Sequence, residues 1–317
     1  MEKIAIGVDI GGTNIKGGTI TKEGKVLKAF TIPVFKKDTQ EVTIHKLIFA
    51  LNSFLLENHY DKKDIIGIGL GVPGSIDATN GVVTYSNNLN WHELPIAKLV
   101  SEGTGLPVRI TNDANAATLG EAKFGAGKKY KNIIMLTLGT GVGGGIIIDG
   151  KLYEGNLGKG GELGHTIIVV DGEPCTCGEK GCLETYASAT ALNRDTRRMM
   201  DLHKDSKLWD VSQRMGKINA RTAFIAEQEG DIYAHILVEN YVKYLCTGLI
   251  NYCNIFRPDA IVLSGGIANE GENLLERIRS YCKEHHYGFK GTPEVKILTS
   301  ELGYDSGKIG AASLFFE

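Results

Sequence analysis

Apolar and polar positions along the first part of the chain follow the order of a strand-rich lobe. Short apolar runs predict strands at Ile4–Ile10, Gly17–Ile20, Val26–Ile32 and Ile65–Leu70. Between the third and fourth runs, apolar residues recur every three or four positions from Thr39 to about Glu57, as on one face of an amphipathic helix. The predicted order is therefore β-β-β-α-β.

The same strand, glycine-rich turn and strand unit recurs further along the chain. Apolar runs predict strands at Asn132–Leu138, Gly145–Ile148 and Thr166–Val170, and a buried strand at Ala260–Leu263. Helical spacing predicts helices at Ala187–Leu202, Arg221–Gln228 and Ile232–Ile255, with a polar stretch around Asp205–Lys217. The final segment, SGKIGAASLFFE, is typical of a helix that could cross back to the first lobe.

Length and composition favour a two-lobed soluble protein. The chain has 317 residues, which is long for one core, and a formal net charge of −2 with no basic stripe. We therefore expect no nucleic-acid partner. The apolar run at the N-terminus is too short for a signal peptide, and no stretch has the length of a membrane-spanning helix. We expect no membrane partner and a cytoplasmic location.

Most candidate chemistry lies in one loop-rich stretch between Glu162 and Glu184. It holds His165 and three of the six cysteines, and the two carboxylates flank it. One imidazole and three thiols form a Cys₃His set, which is common in structural zinc sites. In a cytoplasmic chain, metal ligands or inert thiols are better readings than disulfides. The other cysteines are predicted to be buried and inert, namely Cys246, Cys253 and Cys282.

Glycine-rich turns supply a second kind of candidate chemistry. The pattern G-x-G-x-x-G occurs at Gly69–Gly74 and Gly139–Gly144, but neither opens a helix as a dinucleotide site requires. A Walker A loop is excluded because no Gly-Lys-Ser or Gly-Lys-Thr occurs in the chain. The turns at Asp9–Asn14 and Leu138–Gly145 are rich in backbone N–H groups and can form anion-binding nests. The alternative is that they are simply tight hairpins.

Side chains at these turns extend the phosphate interpretation. Asp9 could hold a hydrated Mg²⁺, while Thr13, Asn14 and Thr140 could add hydroxyl or amide contacts. A third turn, LSGGIA at Leu263–Ala268, follows a buried strand and could support a nucleotide base or ribose. Two matched hairpins and a third turn favour a nucleotide site over isolated hairpins.

A candidate catalytic carboxylate lies in the sequence TNDANA. Asp113 follows a predicted strand, Pro107–Ile110, and opens a predicted helix that runs through Glu121. Its carboxylate could accept the proton of an attacking hydroxyl. It could equally be a helix N-cap, a position that Asp and Asn often occupy. The residues alone leave both interpretations open.

Asp9–Lys16, the Gly139–Gly144 turn, LSGGIA and the cysteine loop together resemble the ROK family of sugar kinases and repressors, within the actin/hexokinase/Hsp70 superfamily. The family signature fits from Leu138 through Gly164 and His165, and the resemblance runs nearly end to end. It implies a two-lobed α/β fold of the ribonuclease H-like type, with mixed five-stranded sheets and a cleft between the lobes that holds ATP and sugar. We expect residues 1–116 with 304–317 in one lobe and 117–303 in the other.

The resemblance also implies roles for single residues. Asp113 resembles the general base of the kinases, and zinc is implied on His165, Cys175, Cys177 and Cys182. The implied sugar contacts are Gly74, Asn88, Asn112, Asp113, Glu162, His165 and Glu184. The implied contacts to ATP and Mg²⁺ are Asp9, Gly11, Gly12, Thr13, Asn14, Gly139, Thr140, Gly141, Gly143, Gly265 and Gly266.

The activity implied is ATP-dependent phosphorylation of glucose at its 6-hydroxyl. Kinases for N-acetylmannosamine, N-acetylglucosamine or another hexose share most of the pattern and stay open as alternatives. A sugar-responsive repressor is disfavoured, since DIGGTN begins at residue 9 and leaves no room for a DNA-binding domain before it. An actin-like or chaperone ATPase would have no use for the cysteine loop. The resemblance further implies a homodimer.

Overall fold

A computed structural model describes residues 3–35, 38–285 and 292–316. Its strands are β1 Ile4–Ile10, β2 Asn14–Ile20, β3 Val26–Pro33, β4 Ile65–Val72, β5 Ser75–Asp77, β6 Val82–Ser86, β7 Trp91–Leu94, β8 Val108–Asn112, β9 Ile133–Leu138, β10 Val142–Ile148, β11 Lys151–Leu152, β12 Ala260–Ser264 and β13 Lys296–Thr299. Its helices are α1 Gln40–Glu57, α2 Ile96–Thr104, α3 Asp113–Phe124, α4 Glu184–Ala187, α5 Ala189–Leu202, α6 Leu208–Arg214, α7 Ala220–Gln228, α8 Ile232–Phe256, α9 Glu272–His285 and α10 Ser306–Ala312.

The chain divides into two compact units. The first comprises the described residues of Met1–Lys131, Gly145–Gly161 and Glu301–Glu317, and the second those of Asn132–Gly144 and Glu162–Ser300. These bounds differ from the expected ones at residues 117–131, 145–161 and 301–303, which were expected in the other lobe; the expected boundary cut through α3. Helix α3 belongs to the first unit because it packs directly against α10.

The first unit contains a mixed five-stranded sheet with the order β3-β2-β1-β4-β8. β1 pairs antiparallel with β2, whereas β4 lies between β1 and β8 and is parallel to both. Since the carboxyl ends of parallel strands lie along one edge, Asp9, Gly71 and Thr111 form adjacent register positions there. This edge brings together the end of β1 and the segment that leads into Asp113.

The apolar periodicity of the first unit is borne out by its packing. The predicted helix is α1, and its buried positions include Leu47 and Leu51, both with no exposed surface. Thr39 caps this helix by accepting the N–H of Val42. β2 starts at Asn14, three residues earlier than predicted, so Lys16 lies within the strand.

A small three-stranded sheet, β5-β6-β7, and helix α2 were not predicted. The strands have only three to five residues, and an Asn-rich turn separates β6 from β7. Such short segments carry too few apolar positions for a period to be read. Trp91 is 1% exposed in this sheet and packs in the hydrophobic core of the first unit.

Helix α10 approaches its neighbours so closely that no side chain fits at the contacts. A Cβ on Gly310 would lie 1.6 Å from the carbonyl oxygen of Ala116 on α3. A Cβ on Gly7 of β1 would lie 1.7 Å from the carbonyl oxygen of Lys308. Glycine is therefore required on both sides of α10, where backbone meets backbone.

A buried carboxylate fixes the point at which the chain re-enters the first unit. Glu121 on α3 is completely buried, and its Oε1 accepts the N–H of Leu302 at 2.9 Å. Its Oε2 accepts the N–H groups of Ala126 at 2.9 Å and Glu301 at 3.1 Å. One side chain thus ties the end of α3 to the segment that leads to α10.

We expect Glu121→Gln to lower the free energy of unfolding by about 2–4 kcal/mol, because the amide nitrogen cannot accept the backbone N–H groups and hydrogen bonds to a buried charge are strong. Urea unfolding followed by circular dichroism measures this loss. Glu57→Gln, at an exposed position at the end of α1, is the matched control and should change stability by less than about 0.5 kcal/mol. A loss below about 1 kcal/mol at Glu121 would contradict the structural role.

The second unit is organised around the parallel strands β9, β12 and β13. The sheet that contains them has the order β11-β10-β9-β12-β13, and β12 is parallel to both of its neighbours. Long helix α8 packs against α7 and α9, and Asp231 caps its start by accepting the N–H of Ala234 at 2.7 Å. Cys246, Cys253 and Cys282 are buried, as predicted.

One prediction for the second unit was wrong. Thr166–Val170 is not a strand, because its only ladder contact in the described residues is an isolated bridge between Ile167 and Cys182. Val170 is 85% exposed, so the apolar run that suggested a strand has no sheet to pack against. The polar stretch at Asp205–Lys217 contains helix α6, whose buried face is limited to Leu208 and Val211.

Across the described ranges, none of the helices combines the length and the apolar character that a membrane span requires.

Candidate functional site

In the first unit, a glycine turn joins β1 to β2. The turn is closed by the N–H of Gly11, which donates to the carbonyl of Asn14 at 2.9 Å. The carbonyl of Thr13 accepts the N–H of Val34 at 2.8 Å, which fixes the far side of the turn. No atom would lie within 4 Å of a Cβ on Gly12, so the backbone there is open to approach. The turn has the exposed backbone that an anion nest requires.

Asp9 lies at the end of β1 beside this turn and carries a strongly perturbed carboxyl. Burial and, after it, the negative charge of Asp113 raise its pKa to about 6, while Lys16 and Lys308 act in the opposite direction. Lys16 is its direct cross-strand partner on β2. A carboxylate held so near a second carboxylate would be stabilised by a bound divalent cation, which fits the Mg²⁺ role predicted for Asp9.

Asp113 is the first residue of α3, and Asn112 is the N-cap. The side-chain oxygen of Asn112 accepts the N–H groups of Ala114 at 2.9 Å and Asn115 at 3.3 Å. The cap alternative considered for Asp113 therefore belongs to its neighbour. The Asp113 carboxylate lies at the helix N-terminus, and its Oδ1 accepts the N–H of Ala114 at 2.9 Å.

Asn112 also joins α3 to the turn that carries Gly74. Its side-chain nitrogen donates to the carbonyl of Gly74 at 3.1 Å. Gly74 has a φ of +118°, and a Cβ there would lie 2.2 Å from the carbonyl oxygen of Tyr85. The structure thus brings Gly74, Asn112 and Asp113 together. Asn88 is exposed in the turn between β6 and β7.

In the second unit, the corresponding turn between β9 and β10 is held by the start of α5. Ala189 N–H donates to the carbonyl of Gly139 at 2.8 Å, and the Thr190 hydroxyl donates to the carbonyl of Thr140 at 2.7 Å. Within the turn, Gly139 N–H donates to the carbonyl of Gly141 at 3.0 Å. Gly143 follows within β10. The turn is therefore preorganised by the segment that follows the cysteine loop.

The LSGGIA turn lies against the end of β9. Ile267 N–H donates to the carbonyl of Leu138 at 3.3 Å, and a Cβ on Gly265 would lie 2.4 Å from the same oxygen. Gly265 has a φ of +92°, whereas Gly266 has open space beside it. Because β9 and β12 are parallel neighbours, the two glycine turns that follow them lie at one edge of the sheet.

A short 3₁₀ turn, Leu163–His165, places the imidazole of the cysteine loop beside β10. A Cβ on Gly164 would lie 1.9 Å from the carbonyl oxygen of Val142, so this turn needs glycine in order to pack flat on the strand. Glu162 precedes the turn with an exposed side chain, and its carbonyl accepts the N–H of His165 at 3.1 Å.

The four predicted zinc ligands converge. One ligand atom from each of His165, Cys175, Cys177 and Cys182 lies within 4.8 Å of all the others. Zn–S bonds of about 2.3 Å in a tetrahedron place two sulfurs ~3.8 Å apart, and Zn–N of about 2.05 Å places sulfur ~3.6 Å from nitrogen. The Sγ atoms of Cys177 and Cys182 are 3.7 Å apart. Nδ1 of His165 is 3.5 Å from Sγ of Cys175.

The protonation chemistry of these thiols also fits a metal. Burial and the neighbouring cysteines raise the pKa of Cys182 to about 12. Burial likewise raises the pKa of Cys175, whereas the backbone N–H of Glu179 lowers that of Cys177. Three thiols within 4.8 Å of one another do not ionise together on their own, but a bound dication reverses this balance by coordinating thiolates. The cluster therefore fits the zinc site implied by the resemblance.

Glu184 links the cysteine loop to the glycine turn of the second unit. Its Oε2 accepts the N–H of Val142 at 2.9 Å, and its Oε1 accepts the hydroxyl of Thr176 at 3.3 Å. A Cβ on Gly141 would lie 2.2 Å from Oε2. The carboxylate thus lies directly against the turn.

Several residues around these turns were not singled out from the sequence. Lys16 and Lys308 face Asp9, and Thr176 and Thr190 brace the second unit's turn. Lys16 could have been found by extending β2 to Asn14, because the hairpin register then pairs it with Asp9. The other three depend on contacts between distant segments that no local pattern encodes.

Comparison with known proteins identifies the class. The protein-family model of the ROK family matches residues 5–317, and the chain belongs to that family. The glucokinase of Halalkalibacterium halodurans is 38% identical over 314 residues, covering 98% of this chain and 94% of the relative. The xylose repressor of Bacillus spizizenii is 32% identical over 313 residues, covering 99% of this chain and 77% of the repressor.

A solved structure gives the same assignment of fold. The ROK family glucokinase from Streptomyces griseus, crystallised with glucose and AMPPNP, superimposes with a TM-score of 0.82 at 33% identity and 98% coverage of both chains. The mixed α/β fold of the actin/hexokinase type, expected from the resemblance, is therefore confirmed.

Proposed function

We propose that this chain is a glucokinase, which transfers the terminal phosphoryl group of ATP to the 6-hydroxyl of glucose. The observation that carries the proposal is the edge of the first unit's sheet. There Asp9 lies near the end of β1 and an open glycine turn follows that strand. Asp113 follows the end of β8, which is parallel to β4 and so to β1. Glucokinase relatives and the likeness to an enzyme bound to glucose and AMPPNP support the choice of reaction.

Asp113 is proposed as the general base. Asp113 is the first residue of α3, and the cap made by Asn112 fixes the backbone that carries its side chain. It accepts the proton of the 6-hydroxyl as that oxygen attacks the terminal phosphorus in line. The proton goes to the Asp113 carboxylate, and the leaving group is ADP.

The nucleotide contacts are proposed at the glycine turns of each unit. In the first unit the backbone N–H groups of Gly12 and Thr13, in the turn that the N–H of Gly11 closes, would face phosphate oxygens, and Asp9 would hold hydrated Mg²⁺. Bound Mg²⁺ supplies charge neutralisation for the transferred group. In the second unit the Gly139–Gly143 turn would face phosphate, and Gly265 and Gly266 the base or ribose.

The sugar contacts are proposed on two groups of residues. Asn112 and Gly74 are joined by a hydrogen bond in the first unit, where Asn88 is exposed in a nearby turn. In the second unit Glu162, His165 and Glu184 lie at the two ends of the cysteine loop. Vicinal hydroxyls are well matched to carboxylate acceptors of this kind.

Zinc is proposed as a structural ion on the four convergent ligands. A full set of protein ligands leaves no open coordination position, so the ion would brace the loop rather than take part in the reaction. His165 would bind it through Nδ1, the nitrogen that faces Cys175. The other ring nitrogen, Nε2, is then free of zinc and can donate to or accept from a sugar hydroxyl.

Two other functions are alternatives to glucokinase activity. Kinases for N-acetylated hexosamines share the pattern, and the 32% identical xylose repressor favours sugar binding without catalysis as a second candidate. A cytoplasmic location and a homodimer stay predictions.

A hexose panel with Mg·ATP distinguishes these candidates. We expect glucose to give the highest kcat/KM among common hexoses, N-acetylmannosamine and N-acetylglucosamine, with turnover of about 1–100 per second. The measurement is coupled detection of ADP at several concentrations of each sugar. A strong preference for an N-acetylated sugar would overturn the choice of glucose. Saturable sugar binding with no ADP release for any sugar would favour the repressor-like function.

A further inference from the structure

A carboxylate of the protein itself, that of Glu184, is bonded to the glycine turn of the second unit. Val142 N–H donates to Oε2 of Glu184 at 2.9 Å. The same oxygen lies against Gly141, where a Cβ would come within 2.2 Å of it. A backbone N–H in a glycine-rich turn is the kind of donor that binds a phosphate oxygen. At this donor, the carboxylate of Glu184 takes the position of such an oxygen.

The rest of the turn is fixed without Glu184. The carbonyls of Gly139 and Thr140 accept bonds from the start of α5, at 2.8 Å from Ala189 and 2.7 Å from Thr190. The N–H of Gly139 bonds within the turn. Several hydrogen bonds therefore hold the turn besides the bond from Val142 to Glu184. Those bonds join neutral groups, whereas the acceptor for Val142 is a carboxylate.

The other oxygen of Glu184 is held from the opposite direction. Oε1 accepts the hydroxyl of Thr176 at 3.3 Å, and the Sγ of Cys175 is 4.0 Å away. Thr176 is exposed, and its bond to Oε1 is long enough to be weak. A ligand hydroxyl that bonds Glu184 more strongly than these partners can turn the carboxylate.

We propose that Glu184 is a positioning residue that occupies the phosphate position of the Gly139–Val142 turn until sugar binds. The inference rests on the proposed function, since it takes Glu184 as a sugar ligand and the turn as a phosphate ligand. A sugar hydroxyl draws the carboxylate away from Val142, which frees the N–H and removes a negative charge from the turn. Phosphate then binds more tightly, so sugar and nucleotide bind with positive coupling.

The proposal and a purely structural role of Glu184 predict opposite changes in nucleotide affinity when Glu184 is replaced. If Glu184 only holds the turn in shape, its replacement loosens the turn and weakens nucleotide binding. If Glu184 competes with phosphate, its replacement by a neutral isostere strengthens nucleotide binding when sugar is absent. The sign of the change in sugar-free affinity therefore separates the two accounts.

Calorimetric titration of Mg·AMPPNP into the full chain, with and without saturating glucose, tests the proposal. For the wild type we expect glucose to lower the Kd of AMPPNP by about tenfold. For Glu184→Gln we expect a sugar-free Kd about tenfold lower than that of the wild type, and a remaining glucose effect below about twofold. Hydrolysis of ATP without sugar should rise in the same variant.

Glu179→Gln is the matched control, because it removes a charge of the same sign from an exposed position on the same loop. Its AMPPNP titrations should match those of the wild type. A sugar-free Kd in Glu184→Gln equal to or higher than the wild-type value overturns the proposal, provided that zinc content and circular dichroism are unchanged. A separate glucose titration of the wild type identifies failure of the proposed function, which would appear as no hexose binding.

Discussion

Asp113→Asn is expected to lower kcat for glucose by about 10²–10⁴-fold, the usual contribution of a positioned general base. The amide keeps the size of the carboxylate and can still bond a hydroxyl, so the Kd of glucose should change by less than about threefold. The fold around it should persist, because the cap of α3 belongs to Asn112. Steady-state kinetics and a glucose titration measure the two effects separately.

Asp201→Asn is the control for the loss of one aspartate charge. Asp201 is exposed on α5, and its ion pair to Lys204 is 66–68% exposed on both side chains. Neither kcat nor the Kd of glucose should change in this variant. Retention of more than about a tenth of wild-type kcat in Asp113→Asn would remove Asp113 from the role of base.

Cys177→Ser is expected to lower zinc content and glucose affinity together. Serine at pH 7 is not ionised and is a poor zinc ligand, so the set of four would be reduced to three. The loop it braces carries His165 at one end and leads into Glu184 at the other. We expect zinc to fall from about one ion per chain to a small fraction, and the KM of glucose to rise by about tenfold or more.

Cys253→Ser is the matched substitution outside the loop, at a buried position on α8. It should retain zinc and the wild-type KM even if it costs some stability. Elemental analysis and steady-state kinetics on both variants provide the comparison. Wild-type protein purified without chelators and found free of zinc would refute the coupling of the metal to sugar affinity.

Long apolar repeats allowed much of the fold to be predicted from sequence. Helices α1 and α8 are long enough for their helical period to be unambiguous, and strands β1 and β9 are nearly continuous apolar runs. The strand predicted at Thr166–Val170 failed because an apolar run indicates a strand only where a neighbouring strand pairs with it. The β5-β6-β7 sheet was missed because each strand is too short to show alternation.

The candidate site was predictable where spacing is local and unpredictable where it depends on tertiary contact. The four zinc ligands lie within eighteen positions of the chain, and their residue types alone indicate a metal. The bond from Val142 to Glu184 joins segments 42 positions apart, and no pattern in either segment indicates it. Whether Asn112 or Asp113 caps α3 depends on a one-residue difference in where the helix begins, which the sequence did not decide.

The contact of α10 with β1 and α3 has a consequence for biosynthesis. The first unit's sheet and α3 are translated early, but the atoms that pack against Gly7 and Gly120 belong to α10, Ser306–Ala312, which is translated much later. Between them the ribosome must produce the whole second unit, which can fold as an inserted body in the meantime. We therefore expect the nascent first unit to expose this flank until α10 is made, and transiently exposed surface of this kind favours aggregation.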